Sequence, residues 1–170
     1  MTGMLAAVMA VMSQIQFPLP SGVPVTMQTI AMALAGYILG WRYGLASTAV
    51  YILLGAVGVP VFAGFSGGLG FTVSPAGGYI WGFLPMVALC GLGYEKRSMP
   101  ALIGLSVAGL ACCHILGVIQ LSIVTGLNAW GAFLAGSAPY LVKDLVSLAA
   151  AYAVAKAVRK ALTSAGAQMA

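Results

Sequence analysis

The sequence predicts an all-α integral membrane protein with six transmembrane helices and both termini in the cytoplasm. Three observations carry that prediction. Of 170 residues, 62% are hydrophobic and only 5% are charged, whereas a soluble domain carries about 25% charged residues. A spanning helix needs roughly 20 apolar residues, and the chain has room for about six spans with short connections. Finally, the basic residues fall on alternate connections. With six spans, Arg42, then Lys96 and Arg97, then Lys156, Arg159 and Lys160 all lie on one side. That side is cytoplasmic by the positive-inside rule.

Taken in order, the first span is expected over 4–17, ended by the PLPSGVP stretch. The second covers 25–40 and is short, and the third covers 43–59. A long glycine-rich connection, VPVFAGFSGGLGFTVSPAGG, follows. The fourth span covers 79–94 and stops at EKRSMP, the fifth covers 101–124, and the sixth covers 139–158. The whole chain, 1–170, reads as one membrane domain. The outward connections 17–25, 60–78 and 125–138 hold no Lys or Arg. The first apolar segment lacks a basic start and a small-residue cleavage site, which argues against a cleaved signal peptide.

The composition also excludes functions. There is no soluble nucleotide-binding fold and no Walker-type loop. The net charge of +5 comes without a basic stripe, a poor footprint for nucleic acid. Cys90, Cys112 and Cys113 lie in apolar segments without metal-ligand spacing and read as packed hydrophobes. His114 has no second His to join it in a metal site, so it reads as a packing residue hydrogen-bonded to a neighbouring helix. Glu95 reads as a solvated loop group. No catalytic constellation, resident cofactor or metal site is expected.

One stretch does not fit a purely greasy span. PYLVKDLVSLAAAY sets Lys143 and Asp144 about one turn inside the sixth helix, where charge is costly unless paired or hydrated. Adjacent residues point about 100° apart on a helix. Asp144 shares its face with Tyr140, Leu141, Ser147 and Leu148, so the short acid is expected to face the bundle or a cavity. Lys143 is expected to reach outward to the headgroups on its long stem. The outward connections gather Thr26 and Gln28, the aromatics Phe62, Phe65, Phe71 and Tyr79, glycines including Gly78, and Asn128 beside Trp130. Aromatic walls with a few placed polar groups and one acid describe a small-ligand pocket. Ordinary turns with an interfacial aromatic belt are the alternative.

VPVTMQTIAMALAGYILG, YILLGAVGVPVFAGFSGGLGFTVSPAGGYIWGF and APYLVKDLVSLAAAY together resemble the BioY family, the biotin-binding S components of energy-coupling factor (ECF) transporters. The resemblance runs from Ala6 to about Lys156. It departs at SPAGGY, where Ser74 stands in place of a frequent glycine. It implies a six-helix protein of a bacterial or archaeal cell membrane that takes up biotin from outside. The implied partners are a membrane coupling protein (the T component) and two ABC-type ATPases, which spend the ATP. It maps the family's ligand-binding acid onto Asp144 and its following lysine onto Ser147. Asp144 would then accept from a ureido N–H, joined by Asn128, while neutral donors such as Ser147 and Tyr140 replace the lysine at the carboxylate. On the first helix it marks Ala6 and Ala10 as the face that docks on the coupling protein. The alternatives are an S component for another vitamin or a biotin precursor, a self-sufficient homo-oligomeric biotin transporter, and a membrane scaffold protein.

Overall fold

The computed structural model describes residues 1–17 and 23–164. The expected break at PLPSG therefore lies outside the described residues. The elements in order are α1 (Thr2–Gln14), β1 (Gln16–Phe17), β2 (Val25–Thr26), α2 (Gln28–Ala56), a 3-10 turn (Ala63–Phe65), α3 (Leu69–Thr72), α4 (Gly77–Glu95), α5 (Met99–Thr125), α6 (Ala129–Gly136) and α7 (Ala138–Ser164). The all-helical class holds, apart from two very short strands that pair antiparallel, Gln16 with Thr26 and Phe17 with Val25.

The ends of the first two apolar segments differ from expectation. At 13 residues, α1 is about 20 Å long. It stops because Ile15 turns extended (ψ 92°) and the chain enters β1. The second helix likewise begins at Gln28, since Val25 and Thr26 belong to β2. The two helices expected over 25–40 and 43–59 are the two limbs of α2, parted at a single residue. Gly40 has φ 76° and ψ 178°, a combination almost reserved for glycine. The limbs fold against each other there, since a Cβ on Gly44 would meet the Ala35 oxygen and Gly36 Cα, each at 3.2 Å. Glu95 is not a merely solvated group. Its Oε1 accepts the Trp41 N–H at 3.1 Å, capping the second limb.

Among the described residues two helices, α4 and α5, are long and apolar enough to cross a membrane by length and composition. Proline near its start and Gly126 at φ 72° just past its end delimit α5, the usual asymmetry of helix ends. These two helices pack through small residues. A Cβ on Gly109 would lie 3.0 Å from the Met86 oxygen, and one on Gly78 would collide with the Leu116 oxygen. Close backbone approach of this kind suits helices packed in lipid. The shared core includes Met9, Met32, Tyr51, Phe62, Met86, Val87, Ala151 and Ala155, each fully buried. It draws on α1, both limbs of α2, the connection that follows α2, α4 and α7.

The glycine-rich connection is tied down along its length. Ser13 Oγ donates to Val61 O at 2.6 Å and Gln14 Nε2 to Phe62 O at 3.0 Å. The Phe65 N–H returns a bond to Gln14 Oε1 at 2.8 Å. On the other side Gln120 Nε2 donates to Thr72 O and Ser74 O at 2.9 and 2.8 Å. Two glutamines on flanking helices thus do what a sheet ladder would do for a strand: they satisfy irregular backbone.

Candidate ligand pocket

Asp144 anchors the site. It lies about 9 Å, nearly two turns, along α7 and is 5% exposed. Its Oδ1 accepts from Thr29 Oγ1 at 2.7 Å, on the first limb of α2. His114 Nε2, from α5, lies 3.2 Å from Oδ2 but is not aligned as a hydrogen bond. His114 Nδ1 is hydrogen-bonded to Ser137 Oγ at 2.9 Å, at the junction of α6 and α7. Ser137 Oγ also lies 3.2 Å from the Tyr79 hydroxyl, which donates to Gly136 O. One polar chain therefore crosses α2, α7, α5, the α6–α7 junction and α4.

Lys143 contradicts the expectation of an outward lysine. Its Nζ lies 2.5 Å from Asp144 Oδ1 and donates to Thr26 O at 2.8 Å. The 100° between adjacent helical positions fixes only the Cα–Cβ directions. A four-carbon stem is long enough to curl back, and inside a greasy bundle an unpaired acid and an unsatisfied carbonyl both attract it. Lys143 and Tyr140 together strap the segment before α2 onto α7, because the Tyr140 hydroxyl donates to Val23 O at 2.6 Å.

These groups line a cavity of about 60 Å³ whose other walls are mainly Phe71, Ile80, Phe83, Leu110 and Cys113. Ligand pockets usually measure roughly 300 Å³ or more. A guest of that size would fit only with the lining spread, and the strap of residues 23–26 is one of its walls, held to α7 through Val23 O and Thr26 O.

Of the residues singled out by sequence, Asp144, Tyr140, Tyr79, Gln28 and Thr26 line this cavity. Gln28 donates from Nε2 to the Tyr51 hydroxyl at 2.6 Å and receives the Thr26 hydroxyl at 3.0 Å. The others stand outside it. Ser147 is buried, with its hydroxyl on Lys143 O at 2.8 Å, one turn back. Phe62 sits behind the wall, stacked on Phe71 at 5.3 Å. Phe65 is 73% exposed. Gly78 serves the contact of α4 with α5. Asn128 is exposed and caps α6, its Oδ1 accepting the Gly131 N–H at 2.7 Å. Ala6 is turned into the core and Ala10 is half-buried against it. The outward side of α1 carries Gly3, Met4, Ala7 and Val11 instead.

The sequence reading left out Lys143 and Thr29 as ligand-site residues and took His114 as packing only. His114 does pack and bond across helices, but it also lines the cavity. The signal for Thr29 was available: it follows Gln28 in PVTMQT, at the start of the helix that faces Asp144. Among the described residues no group of three His, Cys, Asp or Glu side chains is placed to hold a metal.

A helical bundle with close-packed apolar helices and a small polar-headed cavity at one end suits one class: a membrane protein with a candidate small-ligand site. Comparison with known proteins narrows it. The BioY family model matches residues 1–164, and the chain belongs to the BioY family. A probable biotin transporter BioY of Pyrococcus horikoshii is 40% identical over 135 residues, 79% of each chain. The biotin transporter BioY of Thermotoga maritima is 37% identical over 159 residues, 93% of each chain. A crystal structure of the S-component for biotin from an ECF-type ABC transporter superposes with a TM-score of 0.84. It covers 94% of this chain and 88% of that one at 23% identity, and so speaks for a shared fold.

Proposed function

We propose that this protein is the biotin-binding S component of an ECF-type transporter. The observation that carries the reading is the Lys143–Asp144 pair, with Nζ and Oδ1 only 2.5 Å apart in a cavity walled by apolar side chains as well as by hydroxyl, amide and imidazole groups. A ureido group presents a carbonyl acceptor beside N–H donors. The pair presents a cationic donor beside an anionic acceptor, the complementary arrangement with charge-assisted bonds on both sides. The spacing of the pair suits one end of biotin rather than both. Lys143 therefore donates to the ureido carbonyl and Asp144 accepts from a ureido N–H. The apolar walls take the thiophane ring and the tail runs on towards neutral donors. Lys143, expected from the sequence to reach the headgroups, thereby joins Asp144 at the ligand head, and the neutral donors remain the expected partners of the carboxylate.

Binding widens the cavity. The ligand head competes with Thr26 O for Lys143, which loosens the 23–26 strap and lets it re-close over the guest. The glycine-rich connection, tied to α1 and α5, then acts as a wall. Six rods cross the membrane in this reading: α1, the two limbs of α2, α4, α5 and α7. The turns at 40–42 and 96–98 and both termini face the cytoplasm, as the basic residues at that end suggest. The chain holds no cofactor and catalyses no reaction. A membrane coupling protein and two ATPases supply the energy for release inside the cell, the bundle docking through the outward side of α1.

Titration calorimetry of the detergent-purified protein tests the reading, with thiamine as control ligand. Biotin binds and thiamine does not. Asp144→Asn weakens biotin by roughly tenfold or more, the share of one hydrogen bond to a charged group. A folded wild-type sample that fails to bind biotin would refute the substrate assignment.

A further inference from the structure

The geometry points to a second ligand site at the opposite end of the bundle: a crevice for one anionic phospholipid between α5 and α7, with its phosphate on Arg97 and Arg159. The inference rests on the membrane reading above but not on biotin. A crevice of about 400 Å³ is lined by Tyr94, Arg97, Ser98, Tyr152 and Arg159, with Met99 and Leu102 at its inner edge. A second, apolar groove of about 310 Å³ shares Met99, Leu102 and Tyr152 with it. That groove runs on along Ile103, Val107, Leu145 and Ala149. The Tyr152 hydroxyl, donating to Met99 Sδ at 3.7 Å, marks the boundary between the two.

A basic, hydroxyl-bearing head compartment that opens into an apolar trough matches a lipid in both chemistry and shape. Basic pockets between helices at the cytoplasmic surface suit anionic headgroups. Charge complementarity favours an anion. Lys96, Lys156 and Lys160 stand at the same end, and the nearby acid, Glu95, is engaged with the Trp41 N–H. Arg159 is already oriented, lying 4.5 Å above the Tyr94 ring and donating from Nε to Ile38 O at 3.2 Å. The rest of its guanidinium fork stays available for a phosphate. Arg97 adds an independent sign. It sits at φ 50°, a left-handed position after a helix that glycine would occupy without strain. An arginine held there trades backbone comfort for a charge directed to the crevice mouth.

Native mass spectrometry of delipidated protein tests this with three additives: phosphatidylglycerol, phosphatidylcholine of the same acyl chains, and glycerol phosphate. We expect one retained copy of phosphatidylglycerol, with phosphatidylcholine and glycerol phosphate retained far less. Arg97→Gly should reduce phosphatidylglycerol occupancy about fivefold, near the contribution of one basic residue at a membrane surface, while leaving thermal unfolding unchanged or improved. Ala149→Trp should reduce it by filling the trough with the arginines intact. Equal retention of the two lipids, an unchanged Arg97→Gly variant, or glycerol phosphate held as well as the lipid would each overturn the proposal. Biotin titration of the same samples separates the two readings: biotin binding without phosphatidylglycerol selectivity refutes only the lipid site, and the reverse refutes only the biotin site.

Discussion

The chain has two acidic residues, and the first limb of α2 runs between them. Asp144 meets that limb near its start, at Thr29. Glu95 meets the chain just past its end, at Trp41. Asp144 is buried beside a lysine, a threonine and a histidine drawn from three helices. Glu95 is exposed and accepts one backbone N–H. The same functional group thus does two jobs, decided by surroundings. At the Glu95 end a carboxylate finishes a helix that glycine had to break. At the Asp144 end, a buried carboxylate sits beside a cation, a hydroxyl and an imidazole in the lining of a small cavity.

The sharpest way to break this contrast is to delete each acid. Asp144→Ala leaves Lys143 without its ion partner in a poorly hydrated site. It should destabilise the protein by about 3 kcal/mol, at the low end for a broken buried pair, and abolish measurable biotin binding. Thermal unfolding in detergent and titration read the two effects separately. Next comes Lys143→Met, which keeps the stem and removes the charge. Biotin affinity should fall roughly ten- to hundredfold, as for a lost hydrogen bond to a charged group. An unchanged affinity would return Lys143 to a strap-holding role.

At the other end, Gly40→Ala should cost about 1–3 kcal/mol through its forbidden backbone geometry and leave the biotin constant untouched. Smallest are the two cap removals, Glu95→Ala and Asn128→Ala, each expected to cost about 1 kcal/mol with binding unchanged. If Asn128→Ala weakened biotin, the residue would belong to the ligand site as its sequence context suggested, and the exposed cap would be only its resting position.

How much of this was legible beforehand follows from what each feature depends on. Helix existence and class were legible because composition and apolar run length act locally. Asp144 was legible because an acid in a greasy span needs a cavity or a partner wherever the chain folds. The lining by Tyr140, Tyr79, Gln28 and Thr26 followed from their places at or just before the starts of helices, gathered at one end of the bundle. Lys143 was misread because periodicity describes Cβ directions and says nothing of where a flexible stem ends. Asn128 and Phe65 stand outside the cavity because polar and aromatic residues near a site also cap and decorate turns. Ala6 was placed outward although α1 rotates it into the core. Sequence spacing on a single helix cannot fix that rotation; it depends on which face meets α2. The ends of the first two apolar segments were missed because β1 and β2 pair residues across the connection, a contact with no local signature.

The most direct test of the account compares ligands that separate head from tail. Biotin, desthiobiotin, biotin amide and lipoate are titrated against the wild-type protein under one set of conditions. Desthiobiotin keeps the ureido head. The amide keeps the head with a neutral tail. Lipoate keeps a carboxylated tail on a sulfur ring without any ureido group. The account predicts that desthiobiotin and the amide retain most of biotin's affinity and that lipoate does not bind. Lipoate binding on a par with biotin would contradict it, because the Lys143–Asp144 pair would then not be reading the ureido head, and loss of binding in the amide would contradict it, because the tail carboxylate would then carry the affinity.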